Sequence, residues 1–80
     1  LFAFEHHDVV PDILCVAKGM GGGLPVGAFI AGKSLMSKLS HNPVLGHINT
    51  FGGNAVALAA AGAALEVLIE ENLCQRAYQI

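Results

Sequence analysis

Ile13-Leu14-Cys15-Val16-Ala17-Lys18-Gly19-Met20-Gly21-Gly22-Gly23-Leu24-Pro25 is the stretch whose reading decides the fold. Its first five residues form an unbroken apolar run of strand length. Continuous rather than alternating hydrophobicity predicts a strand buried on both faces, as in a layered α/β protein. Val10-Pro11-Asp12 before it is a turn signal, because proline fixes φ and biases its predecessor away from helix. After Lys18, four glycines in five residues favour neither helix nor strand. Residues 26–31 read as a second apolar strand, residues 33–39 as a short helix and residues 40–46 as loop. Residues 53–74 read as one long helix. Its first half, residues 55–65, is apolar all round and is expected to be buried. Its second half turns amphipathic at Glu66, Glu70 and Glu71, which read as a solvated face. The expected class is α/β: two sheet strands, a glycine-rich turn and a long helix, with no internal repeat.

Composition bounds the function. Of 80 residues, 54% are hydrophobic and only 12% charged. A free-standing domain this small has a high surface-to-volume ratio and should be rich in charge. The chain therefore reads as the interior of something larger. It opens on Leu1 with no turn or cap before Leu-Phe-Ala-Phe, so a fragment of a longer chain is expected. Four Lys and Arg stand singly in a net charge of -2, which leaves no basic stripe for nucleic acid. The apolar run of residues 55–65 falls short of the ~20 residues that span a bilayer. Cys15 and Cys74 have no framework spacing. Cys15, inside an apolar run, is expected to be a buried free thiol, which suits a reducing, cytoplasmic setting.

Lys18 is the first residue with chemical interest. A lysine directly after a five-residue apolar run either snorkels into water at the strand end or stands at a site. The glycines after it remove side chains where a planar ligand would need room, and a lysine there can attack a carbonyl carbon in its neutral form. They are equally compatible with a tight turn and no ligand. Asn49-Thr50-Phe51-Gly52-Gly53-Asn54 precedes the long helix. Thr50 offers a hydroxyl where free N–H groups and the helix dipole favour an anion, or it serves as a cap or turn residue.

Glu5-His6, Val10-Pro11-Asp12-Ile13, Ala17-Lys18-Gly19, Gly21-Gly22-Gly23 and Pro25-Val26-Gly27-Ala28, followed by Thr50-Phe51-Gly52-Gly53-Asn54, resemble the lysine region of the class III aminotransferases. That group includes the ornithine, acetylornithine and 4-aminobutyrate aminotransferases. The resemblance covers essentially the whole chain. It implies the large, cofactor-binding domain of a fold-type-I pyridoxal-5′-phosphate enzyme over residues 1–80, with the long helix leading toward a small C-terminal domain. It implies that Lys18 forms the internal aldimine and then moves a proton between the substrate Cα and the cofactor C4′. It further implies a homodimer in which Thr50 reaches the partner's cofactor phosphate, acting on an amino donor and a 2-oxo acid. The aspartate facing the pyridine nitrogen, the phosphate cup and the ring-stacking aromatic lie upstream of this region in the family. The carboxylate-gripping arginine lies downstream. Ala55 stands where relatives often carry proline, which a first helical turn favours but does not require.

Other patterns compete. Gly27-Ala28-Phe29-Ile30-Ala31-Gly32-Lys33-Ser34 matches G-x-x-x-x-G-K-[ST] and would make a nucleotide-binding loop. The apolar, strand-like residues between its glycines argue against a pliable phosphate loop. Glu5-His6-His7-Asp8 suggests metal ligands, yet neighbours on extended chain face opposite ways, and zinc sites use spaced ligands. His41 and His47 lie near Thr50 without an assignable role. A structural remnant without activity becomes the favoured reading if the native chain is only these 80 residues.

Overall fold

A computed structural model describes residues 1–42, 44 and 48–80. After a 3-10 helix at Ala3–His7, Pro11 breaks the chain and strand β1 begins at Ile13–Val16. A 3-10 turn, Lys18–Gly21, leads toward β2, Ala28–Ala31. The two strands pair antiparallel, with Ile13 opposite Ala31 and Val16 opposite Ala28. Helix α1, Lys33–Met36, passes into a 3-10 turn at Ser37–Ser40. Helix α2, Ala55–Glu70, and helix α3, Leu73–Gln79, complete the chain. The architecture is α/β, a two-stranded sheet with helices. The expected strand at residues 26–31 is shorter, and the expected helix at residues 33–39 divides into an α turn and a 3-10 turn. Pro43, Leu45, Gly46 and His47, which fall in the expected loop and its neighbourhood, lie outside the described residues.

Two expectations need correction. The strands are not buried on both faces. Along β1, exposed Ile13 and Cys15 alternate with half-buried Leu14 and Val16, and Ile13 keeps 55% of its surface. A ribbon of two strands has only one covered face, whatever the sequence would tolerate on the other. Cys15 is a free thiol, as expected, but like the free Cys74 it is exposed, so it is not the buried thiol its apolar run suggests.

The long helix is also interrupted. Asn72 adopts a left-handed conformation (φ 51°), and its N–H donates to the Ile69 carbonyl at 3.2 Å. Asparagine tolerates this conformation at a helix end better than most residues, so residues 53–74 form α2, a joint, and the start of α3. At the other end Asn54 supplies the cap: its Oδ1 accepts the Ala57 N–H at 3.0 Å. Ala57 is the one buried hydrophobic side chain among the described residues. Residues 55–65 are accordingly not buried as a block, and Val56 and Leu58 stay 70% and 52% exposed. The Cα radius of gyration is 15.1 Å, against about 12 Å for a compact domain of this length. The chain is a slab of 48 × 33 × 16 Å.

Candidate functional site

Lys18 opens the 3-10 turn, one residue beyond the end of β1. The strand delivers it to one wall of an open cavity of about 1360 Å³. Residues 23–29 continue that wall. Residues 48–54, Thr50 excepted, line the same cavity, with Ala57 and Leu58 of α2. The two stretches singled out from the sequence, the lysine with its glycines and the segment before the long helix, thus line one concavity. Thr50 itself is exposed and does not line it. Asn54 does line it while capping α2. The sequence carried a signal for that role, an asparagine immediately before an apolar helical run.

The backbone at Lys18 is unusual. Its φ is +58°. Among the described residues the other non-glycine positions with positive φ are Asp8, Asn42 and Asn72, types whose short polar side chains make this region accessible. Lysine has no such relief, and the left-handed conformation costs it about 1–2 kcal/mol. Backbone held this way persists only where its surroundings over-determine it, and such residues cluster at functional sites. The turn that follows is held by a relay of backbone hydrogen bonds: Met20 N–H to Ala17 O (3.2 Å), Gly22 N–H to Gly19 O (3.1 Å) and Leu24 N–H to Gly21 O (3.1 Å).

The glycines divide into two kinds. Around Gly19 and Gly23 a Cβ would meet nothing within 4 Å, so these positions leave open space beside Lys18. Gly22 is crowded, but by helix α2 rather than by the cavity. An exposed lysine amine on a concavity flanked by open glycine backbone fits a planar carbonyl cofactor held covalently. Within one chain, the Thr50 hydroxyl adds nothing to that wall.

The other patterns fall on different parts of the chain. Between the glycines of Gly27-Ala28-Phe29-Ile30-Ala31-Gly32-Lys33-Ser34 the chain is strand β2, hydrogen-bonded to β1, and not a loop able to wrap a phosphate chain. Glu5 is engaged within its own turn. Its carboxylate accepts the Phe2 N–H. No group of three metal-ligating side chains occurs among the described residues. His41 is exposed in a turn, and His47 lies outside the described residues. Glu66, Glu70 and Glu71 are exposed, as a solvated face requires. Among the described residues no helix is long and apolar enough to cross a membrane.

A strand-delivered lysine, an open glycine turn and a capped helix on a shared cavity are the features to compare with known proteins. The family model described as aminotransferase class-III matches residues 1–80, the full length of the chain. The chain belongs to the class III aminotransferases, which transfer amino groups and generally depend on pyridoxal phosphate. No solved structure matches it.

Proposed function

We propose that this chain carries the cofactor lysine of a pyridoxal-5′-phosphate-dependent transaminase, which moves an amino group from a donor amine to a 2-oxo acid. On this reading residues 1–80 belong to the large domain of a fold-type-I enzyme, and α3 heads toward a smaller domain. Lys18 would hold the cofactor covalently through Nζ. When bound, the cofactor supplies an electron sink for the carbon being deprotonated. Lys18 Nζ, once released by the donor amine, is the base that takes the proton from the donor Cα and holds it for return. The open backbone at Gly19 and Gly23 leaves room beside that amine. Thr50, exposed and outside the lining of its own chain's concavity, is available to donate its hydroxyl to the cofactor phosphate of a partner subunit in a homodimer.

The observation that carries the reading is Lys18, held in left-handed backbone on the wall of a cavity that residues 48–54, Thr50 excepted, also line. The test is borohydride reduction of the intact, cofactor-loaded protein followed by peptide mapping. The reduced adduct is expected on Lys18, and Lys18→Ala is expected to abolish both turnover and the visible absorption of the bound cofactor. The chain holds two other lysines, Lys33 and Lys38. An adduct on either of them, with near-normal transamination by Lys18→Ala, would overturn the assignment.

A further inference from the structure

Helix α2 packs against the lysine turn, and Gly22 at the end of that turn has no room for a side chain. A Cβ built on Gly22 would stand 3.1 Å from the Ala60 carbonyl oxygen and 3.1 Å from the Ala64 Cβ. Gly22 also has φ +62°, which favours glycine independently. Gly21 beside it is buried, and its own Cβ would come within 3.5 Å of the Val26 Cβ. The turn Lys18–Gly21 packs along α2. On the helix, Ala57, Ala60 and Ala64 follow one another at spacings of three and four, which places them on one face. Ala57 lines the cavity, while Ala60 and Ala64 meet the turn. One stripe of the helix therefore forms part of the wall of the site and the support of the loop that carries the lysine.

We propose that Ala64, acting through Gly22, is a positioning residue for Lys18: its methyl group sets how close the glycine turn approaches α2 and thereby where the lysine amine stands. The proposal rests on Lys18 being the cofactor lysine. Its physical basis is that the left-handed backbone at Lys18 must be held by contacts beyond the residue itself. At Gly22 a side chain would run into α2, at the Ala60 carbonyl oxygen and the Ala64 methyl group. Any side chain larger than alanine at position 64 pushes against backbone with no side chain to yield. Displacement of the turn moves Lys18 relative to residues 48–54.

The test compares Ala64→Val with Ala63→Val in the intact protein. Ala63 is exposed on the same helix, so its substitution carries the same propensity change without touching the turn. The first readout needs no cofactor: the rate of Lys18 acetylation relative to Lys33 and Lys38 in the cofactor-free protein, followed by mass spectrometry. The second is the split between kcat and KM in the loaded enzyme. Ala64→Val is expected to shift the Lys18 labelling profile and to lower kcat roughly ten- to a hundredfold, the range that follows from small misplacements of reacting groups. KM should change little, and Ala63→Val should match wild type in both readouts. Ala64→Gly, which keeps the room, should retain the wild-type labelling profile despite a less stable helix. If Ala64→Val does not fold, Ala64→Ser adds only one oxygen and should shift the profile in the same direction. A folded Ala64→Val or Ala64→Ser protein with a wild-type labelling profile overturns the proposal. A shifted profile together with an active Lys18→Ala enzyme would instead retain the seat and overturn the cofactor assignment.

Discussion

The backbone cost at Lys18 separates stability from chemistry. Glycine adopts φ +58° without the penalty a Cβ brings, whereas alanine retains it. Lys18→Gly should therefore unfold at a higher temperature than Lys18→Ala, by the equivalent of about 1 kcal/mol, although both lose the amine. Thermal melts of the two cofactor-free variants check this, and identical midpoints would show that Lys18 is unstrained in the intact protein. The position of Lys18 at the end of an apolar run was legible in the sequence, because a charge abruptly following five apolar residues is a local pattern. Its left-handed backbone was not. That conformation follows from the turn and its seat on α2, and neither leaves a mark at position 18. The role of Gly22 was hidden for the same reason: a glycine that clears space for a ligand and one that clears space for a helix read alike.

At the scale of elements, two asparagines bracket α2 in different ways. Asn54 gives a side-chain acceptor to the Ala57 N–H, and losing such a cap costs about 1 kcal/mol. Asn72 contributes its tolerance of left-handed backbone and makes no side-chain cap bond. Asn54→Ala and Asn72→Ala should each destabilise the protein by about 1 kcal/mol. Asn72→Gly should be neutral or slightly stabilising, while Asn54→Gly still removes the acceptor. Denaturant midpoints of the four variants distinguish the mechanisms. If Asn72→Gly proves as damaging as Asn72→Ala, the joint depends on the amide and not on the backbone. The strands, the glycine turn and the start of α2 were legible, since each is announced by proline, glycine or a sustained apolar run. The break at Asn72 was not, because one residue between two helix-forming stretches barely alters the hydrophobic pattern. Burial of the strands could not be read from β1 and β2 alone, because it depends on what is stacked against them.

As a whole molecule the 80-residue chain has little interior. Ala57 is the only buried hydrophobic side chain among the described residues. Val10, Phe51 and Ile69 keep 87%, 83% and 62% of their surface. Exposed apolar surface on this scale promotes association. Expressed by itself, the 80-residue chain is expected to aggregate or stay poorly ordered, and to form no stable yellow complex with pyridoxal phosphate. Size-exclusion chromatography and visible spectra of that product decide the matter: a soluble monomer that retains the cofactor would show that the slab is self-sufficient. The 16 Å thickness of that slab has a further consequence for amide hydrogen exchange. No peptide group lies deeper than half that thickness, so protection must come from each segment's own hydrogen-bond ladder and not from shielding by overlying layers. The slowest-exchanging amides of the isolated chain would then cluster in α2, whose sixteen residues form its longest ladder. The lysine turn, resting on that helix at Gly22, would exchange at a rate governed by how often the helix lets it go.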